Sequence, residues 1–233
     1  MLRRTLTLAP SLLALACLPF LLAAGEAAAA EKKAKSEKEH YGVAAPLKAL
    51  GVYLDAFHFH SGNMDAQMEI HHWCGPVNDD LIQCALFDGK GKDAHLVGIE
   101  YVVSAKLFAT FPDEERKLWH SHSYEVKSGQ LVSPGMAEKA EKALMEKLIS
   151  TYGKTWHTWQ SEKDKVPVGV PELMMAFTAD GQAKPALITE RDRKVGVSTE
   201  AKKKARTSIA APQLLPGADS WQKGEVVRFQ LVK

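Results

Sequence analysis

The fold class is indicated by residues 68–103, MEIHHWCGPVNDDLIQCALFDGKGKDAHLVGIEYVV. Three runs rich in apolar, aromatic and β-branched residues lie at 68–73, 81–87 and 96–103. Short segments containing Gly, Asn and Asp separate them. Runs of this length, bounded by turn residues, predict β-strands. Because the connections are short, we expect neighbouring strands to pair antiparallel as a meander.

Helical patterns flank these strands. Apolar spacings of three and four residues predict helices over 46–57 and 136–152, and mixed charge is typical of a helical segment over 185–206. We also expect a β-hairpin over 124–132 and a final strand over 226–231. The chain is therefore expected to be α+β, a single domain with a mainly antiparallel sheet and helices packed on it.

The amino terminus has the three parts of a secretory signal peptide. Arg3 and Arg4 precede an apolar run over 6–22, and alanines over 27–30 supply small residues for cleavage. We therefore expect a signal peptide at 1–30 and an exported protein, periplasmic or extracellular. An uncleaved membrane anchor is the alternative, because the run approaches the ~18 residues that span a bilayer.

Composition divides the rest of the chain into three parts. Residues 31–45 are mostly Lys, Glu and Ala, which need no burial, and predict a charged flexible lead-in. The α+β domain is expected at 46–206, and a C-terminal extension with a short strand at 207–233. The 30 Lys+Arg against 28 Asp+Glu give a net charge of +2, so no global basic field exists for nucleic acid.

Histidines occur in closely spaced groups that are candidates for binding a metal. The candidate ligands are His58, His60, His71, His72, His120 and His122, and Glu69, Glu100 and Glu125 are candidates for an added carboxylate. Alternate residues of an extended segment share a face, so pairs two apart could present two imidazoles to one divalent transition metal such as zinc. The alternative is structural, with buried histidines paired to carbonyls and carboxylates. No HExxH or CxxC spacing is present.

Cysteine and aromatic residues suggest two further features. Cys74 and Cys84 lie in strand-like runs, and they can form a cross-strand disulfide or remain buried thiols. The candidates for an apolar or sugar-binding groove are Trp119, Tyr124, Trp156 and Trp159. The alternative for these aromatic side chains is that they belong to the core, because each buries a large apolar area.

No complete catalytic signature is present, so catalytic residues remain unassigned. Cys74 lies beside His71 and His72, but the following Gly-Pro indicates a turn rather than an oxyanion site. Ser121 lies between two histidines without the Gly-x-Ser-x-Gly elbow. The sequence therefore favours a non-enzymatic protein. A basic run at 202–206 is a candidate for contact with anionic lipid headgroups, and a solvated helix face is the alternative.

Eight motifs carry a resemblance to a known family. They are FHFH (57–60), EIHHWC (69–74), QC (83–84), GIEY (98–101), WHSH (119–122), YEV (124–126), YGKTW (152–156) and LMM (173–175). In this order they resemble the oil body-associated protein family, and the chain looks like an exported bacterial-type member. The resemblance implies a domain of unknown function that associates with lipid bodies, and it supplies no catalytic residues. It also implies that the two cysteines can exist in a reducing compartment.

The leading hypothesis is a non-enzymatic binding or lipid-associated module whose partner is a lipid or membrane surface. The alternative is a histidine-rich metal-binding protein or a metal-dependent hydrolase. A metal site requires at least three of the candidate side chains to converge within a few ångströms. Protein partners remain unassigned at this stage.

Overall fold

The computed structural model describes residues 45–232, which divide into two compact units after Lys48. The described part of the first unit is helix α1 (Ala45–Lys48), and the second unit contains every other described element. The predicted signal peptide at 1–30 and most of the predicted lead-in at 31–45 lie outside the described residues.

The second unit alternates between strands and short helices. Its strands are β1 (Val52–His60), β2 (Asn63–Asn78), β3 (Leu81–Phe87), β4 (Leu96–Ser104), β5 (His120–Ser121), β6 (Thr151–His157) and β7 (Glu172–Met175). Its helices are α2 (Ala105–Phe108), α3 (Asp113–Arg116), α4 (Ser123–Ser128), α5 (Glu138–Leu148), α6 (Pro185–Val195) and α7 (Thr199–Ala205), followed by a 3₁₀ helix at Ser220–Lys223. The α+β class is thus confirmed.

The sheet closes on itself as an antiparallel barrel. Strands β1 to β4 form the predicted meander, β4 pairs with β6, β6 with β7, and β7 returns to β1. The short β5 adds to β6. The expectation of a sheet with helices packed on it is therefore corrected to a six-stranded barrel. Closure pairs the strand edges that an open sheet would leave exposed.

Residue parity separates the two faces of the barrel wall. Register partners Leu54 and His72, and then Cys84 and Glu100, share one face, because directly paired residues point the same way. Even-numbered residues of β1 to β3, and of β4 from Gly98 onward, therefore point into the barrel. A register shift before Gly98 reverses this parity, so that Val97 lies in the interior and Leu96 on the outside. Part of this interior is apolar, and helices α4 and α5 contribute side chains to the same core cluster.

The odd-numbered residues of β1 form a second core on the outside of the barrel. Phe57 and Phe59 pack with Leu173, and side chains of α6 such as Leu187 and Ile188 cover this cluster. Strand β1 is consequently buried on both faces over most of its length. This burial explains why the predicted helix over 46–57 is wrong: a doubly buried strand has no apolar–polar alternation.

Two other predicted elements are also wrong. The hairpin predicted over 124–132 is helix α4, and Gly129 ends that helix with a φ of +79°. The Ser-Gly signal thus marks a left-handed helix cap rather than a hairpin turn. The strand predicted over 226–231 within the C-terminal extension is not formed, because the described residues after Gly224 join no ladder. There Phe229 stacks on Trp156 of β6 instead.

Candidate functional site

Five buried side chains meet inside the barrel, and we call them the barrel cluster. They are Glu100, His58, His72, His120 and His122. The Nε2 atoms of His72 and His58 lie 3.0 and 3.9 Å from Oε2 of Glu100. The Nε2 atoms of His122 and His120 lie 3.2 and 3.5 Å from its Oε1. Each oxygen of one carboxylate therefore faces two imidazole nitrogens.

Strand register brings three of these side chains together from distant parts of the chain. His58 on β1, His72 on β2 and Glu100 on β4 all have the parity that faces the interior. Glu100 pairs with Cys84 on one side and with Thr155 on the other. A charged residue on the inner face of a central strand must find partners across the barrel, and the histidines are those partners.

A glycine makes room for the cluster at the place where β5 joins β6. His120 of β5 lies opposite Gly153, and His122 follows as the cap of α4. A Cβ atom at position 153 would overlap Oε1 of Glu100 and would lie 2.6 Å from Nε2 of His120. Only a residue without a side chain permits this approach of Glu100 and His120.

The hydrogen bond of His72 determines its tautomer. Its Nδ1 atom lies 3.1 Å from the carbonyl oxygen of Ile70, and a carbonyl can only accept. Nδ1 of His72 therefore carries the proton. In the neutral ring, Nε2 then carries a lone pair that points at the carboxylate of Glu100.

The same argument applies to His122. Its Nδ1 atom lies 2.7 Å from Oγ1 of Thr151, which donates its own proton to the carbonyl of Leu148 at 2.7 Å. Because a hydroxyl has one proton, Thr151 must accept from Nδ1 of His122. The Nε2 atom of neutral His122 is then a second lone pair facing Glu100. When both rings are neutral, acceptor therefore faces acceptor at two positions of the described protein.

Several buried polar atoms of this region have no hydrogen-bond partner among the described residues. They are Nδ1 of His58, both ring nitrogens of His120, Oε2 of Glu125, Oγ1 of Thr155 and Nε2 of His157. Native interiors satisfy the large majority of buried polar atoms, and a concentration of exceptions needs a physical explanation.

Burial affects the two carboxyl groups in opposite ways. It opposes ionisation of Glu100, but the imidazoles of His120, His122 and His72, in the form that carries a proton on the nitrogen facing Glu100, hold the pKa of that carboxyl well below its usual range. For Glu125, burial raises the pKa well above its ordinary value, and the nearby charge of Glu100 adds to the effect. The surroundings therefore favour the ionised form of Glu100 and the protonated form of Glu125.

Burial also keeps several imidazoles neutral. It lowers the pKa of His58 well below the ordinary value, and it lowers that of His122 in the same direction. For His157 burial lowers the pKa to about 3. Neutral rings offer lone pairs, which is the form that binds a metal.

The free space beside the cluster is small. A cavity of about 20 Å³ is lined by apolar residues of the interior and by five polar side chains, namely His58, His72, Glu100, His122 and Glu125. That volume accommodates one water molecule. The arrangement can hold an ion or a water molecule but not a substrate.

Two of the six candidate metal ligands lie outside the cluster. His60 contacts the carboxylate of Glu172 through Nδ1. His71 has odd parity, so it lies on the opposite face of β2 from His72, with Nδ1 3.2 Å from Asp55. The structure therefore brings together His58, His72, His120 and His122, and it separates His60 and His71 from them.

Sequence reasoning did not select His157 or Gly153 for this site. The ring of His157 lies 5.8 Å from that of His58, measured between centroids. Strand parity on β6 was the available signal, because 153, 155 and 157 alternate toward the interior. The pairing of β6 with β4 was needed to use it, and no local pattern predicts that pairing.

The remaining candidate residues are placed as follows. A disulfide joins Cys74 and Cys84, which are register partners across β2 and β3 with Cα atoms 4.1 Å apart.

The four aromatic candidates form no single groove. Trp119 belongs to a core with Phe108 and Tyr152, and Tyr124 donates to Asp180. Trp156 stacks on Phe229, and Trp159 donates to the carbonyl of Asp164.

Among the described residues, no helix has the length and apolar character needed to cross a membrane.

Residues 44–210 match the family model described as a protein of unknown function, DUF1264. Oil body-associated protein 1B of Arabidopsis thaliana is 43% identical over 171 residues, which are 73% of this chain and 71% of that protein. The chain belongs to the oil body-associated protein family. The resemblance expected from the motifs is therefore confirmed.

Two further members of the oil body-associated protein family have similar sequence identity to this chain. Oil body-associated protein 1A of Zea mays is 42% identical over 183 residues, covering 77% of each chain. Oil body-associated protein 2C of Arabidopsis thaliana is 41% identical over 182 residues, covering 76% of this chain and 77% of that one. No solved structure gives a significant match.

These relatives correct the predicted location. An exported protein, periplasmic or extracellular, was expected from the amino-terminal sequence. That expectation is wrong, because the relatives are plant proteins named for oil bodies, over about three quarters of the chain. The amino-terminal sequence that motivated it lies outside the described residues.

Proposed function

We propose that this oil body-associated protein is a binding module that attaches to the surface of a lipid body through the outer face of its barrel. The single observation that carries the proposal is a row of apolar side chains across four adjacent strands. Trp73, Ala85, Ile99 and Trp156 are successive register partners on β2, β3, β4 and β6, so all four share the outer face. We call them the outer row.

The outer row is open to solvent in its central part. Ile99 is 41% exposed, and Leu96 and Tyr101 on the same strand are exposed beside it. At one end Trp156 stacks on Phe229, which is itself exposed and extends the apolar surface. Contiguous apolar surface of this kind marks interaction sites, whereas single exposed apolar residues do not.

The names of the relatives support a lipid occupant. Three plant proteins more than 40% identical to this chain are named for association with oil bodies. A lipid-body surface offers acyl chains between headgroups, and apolar side chains gain free energy on transfer there.

The basic run at 202–206 does not provide this contact. Lys202 and Arg206 pair with Glu141, and Lys203 pairs with Asp180. Because three of the four basic side chains of this run already have partners, the proposal is for apolar attachment, and anionic headgroups are not required.

The test is flotation of the full chain with triacylglycerol droplets coated with phosphatidylcholine. The wild-type chain is expected to float, and the double variant Ile99→Asp/Tyr101→Asp is expected to lose at least about tenfold in affinity, equivalent to about 1.4 kcal/mol. Leu214→Asp is the matched control, since Leu214 is comparably exposed but lies outside the outer row.

Three results would refute the proposal. The wild-type chain would stay at the bottom of the gradient, or the control would be released as strongly as the double variant. Alternatively, binding would appear only after phosphatidylserine is added. Circular dichroism of each variant ensures that a loss of flotation is not a loss of folding.

A further inference from the structure

We propose that the barrel cluster binds one first-row divalent transition-metal ion, held by Glu100 and by Nε2 atoms of histidines in the cluster. The ion would have a structural role inside the barrel. This inference is independent of lipid attachment, since the cluster lies inside the barrel and the outer row lies outside.

The first argument is the conflict between acceptors. Nδ1 of His72 is committed as a donor to a carbonyl, and Nδ1 of His122 to a hydroxyl whose own proton is already donated. In its neutral form, each of these rings directs a lone pair at the carboxylate of Glu100, at 3.0 and 3.2 Å. A cation among these atoms converts the repulsion into ligation.

These Nδ1 contacts also fix the orientation of the two rings, which a metal site requires. Metal-binding histidines usually donate the second ring nitrogen to a carbonyl, a carboxylate or another fixed acceptor, which orients the ring. Ile70 and Thr151 provide such acceptors for His72 and His122.

The second argument is distance. One ligand atom each from His58, Glu100 and His120 all lie within 4.8 Å of one another. Ligand atoms bound at 2.0–2.2 Å to one tetrahedral ion are about 3.3–3.6 Å apart. Binding therefore requires these side chains to draw closer together around the ion.

The third argument is that the unpartnered atoms lie at the same place. Both ring nitrogens of His120 and Nδ1 of His58 lack hydrogen-bond partners among the described residues, although both side chains are at least 99% buried. An ion bound to Nε2 of His120 would satisfy one of these atoms directly. Gly153 leaves the space in which Glu100 and His120 approach.

The donor set indicates the class of metal. Imidazole nitrogens with one carboxylate suit Zn²⁺ and its first-row neighbours, whereas Ca²⁺ and Mg²⁺ prefer all-oxygen sites. The cavity of about 20 Å³ has room for one ion or one water molecule. A closed site of this kind is typical of structural metals rather than of hydrolases.

A second group of metal-type residues does not compete with this site. Asp55, Glu69 and His71 also lie within binding distance of one another. However, Arg191 donates a hydrogen bond to Asp55 at 2.8 Å, so a cation already neutralises that group. Glu69→Gln is therefore the matched control for a carboxylate change beside a histidine.

The experiment measures zinc bound to the full chain, produced without a histidine tag. Elemental analysis of the purified protein is expected to give about one transition-metal ion per chain. After unfolding with a chelator and refolding, Zn²⁺ titrated by calorimetry should bind at a ratio of one and raise the Tm.

Two variants locate the site. Glu100→Gln keeps the shape of the side chain but removes the ligand charge, and it should abolish stoichiometric binding, whereas Glu69→Gln should bind as the wild type does. Thr151→Val removes the acceptor of His122 Nδ1, and it should weaken Zn²⁺ binding about 10–100-fold without abolishing it.

The proposal is overturned if the wild-type chain contains no stoichiometric metal and the refolded protein does not bind Zn²⁺. Nitrogen NMR of the rings would then be expected to show imidazolium in place of a metal. It is also overturned if Glu69→Gln loses binding and Glu100→Gln retains it. The wild-type measurement needs no variant, so misfolding of a variant cannot hide the answer.

Discussion

At the scale of single residues, the surroundings of Gly153 and Arg191 restrict which residue each position accepts. Gly153 lies under Glu100 and His120, where a Cβ atom has no space. Arg191 is fully buried and stacks over the ring of Phe57 at 4.7 Å while donating to Asp55. Each residue therefore supports a specific prediction about stability.

Gly153→Ala should destabilise the protein by about 1–3 kcal/mol, the usual cost of overpacking a core. The added methyl group must displace Glu100 or His120, so Zn²⁺ binding should weaken as well. Gly91→Ala is the control, because a Cβ there meets nothing within 4 Å. Urea unfolding measures both, and equal midpoints for the two variants would contradict the close approach.

Arg191→Met should destabilise the protein by about 3–5 kcal/mol, because it leaves the buried carboxylate of Asp55 without its cation. Arg191 also donates to the carbonyl of Gln130 and to Oγ1 of Thr199, so the change removes the hydrogen bonds that link α6 to these two residues and to Asp55. Arg193→Met, on the exposed side of the same helix, should change stability by less than about 0.5 kcal/mol. A small effect at position 191 would show that the pair is not essential.

At the scale of elements, the two-residue strand β5 depends on the C-terminal extension. Asp219 accepts hydrogen bonds from the backbone nitrogen of Ser121 at 3.0 Å and from its hydroxyl at 2.7 Å. Residue 219 lies beyond the region that matches the family model, which ends at 210. The extension is therefore part of the site's support, since β5 carries His120.

Asp219→Ala should release β5 and destabilise the protein by about 2–4 kcal/mol, because two hydrogen bonds to a buried carboxyl group are lost. Amide hydrogen exchange should increase at 120–121 more than in the rest of the barrel. The comparison is Asp180→Ala, which removes an exposed ion pair with Lys203 and an exposed hydrogen bond from Tyr124, and it should cost about 1 kcal/mol without affecting β5. Unchanged exchange at β5 would refute this dependence.

Local patterns predicted the elements whose burial is one-sided. Strands β3 and β4 have the expected bounds, because turn residues flank them and alternation follows their two faces. The same patterns failed for β1, which is buried on both sides, and for α4, whose terminal Ser-Gly resembles a hairpin turn. Periodicity reports the environment of a face, so it cannot identify an element that has no exposed face.

At the scale of the whole molecule, barrel closure determines which histidines meet. The sequence indicated histidine pairs and three candidate carboxylates, of which Glu100 lies at the centre. Spacing along the chain could not show that the pairing of β4 with β6 brings 100 and 155 together. It also could not show that adjacent residues His71 and His72 face opposite sides of the wall.

The same closure places the two proposed binding sites on opposite faces of the barrel wall. The interior gathers imidazoles around one carboxylate, and the outside presents the apolar outer row. If both proposals hold, the metal stabilises the barrel whose outer face contacts lipid. Removal of the metal should then lower the Tm, with lipid binding affected only when the barrel unfolds.

The most direct test is X-ray diffraction from crystals of the full chain grown with Zn²⁺, with data collected on both sides of the zinc absorption edge. The account predicts one strong anomalous peak inside the barrel, about 2.0–2.2 Å from a Glu100 oxygen and from histidine Nε2 atoms. The contradicting result is no anomalous peak in the barrel, with the histidine rings hydrogen-bonded directly to Glu100.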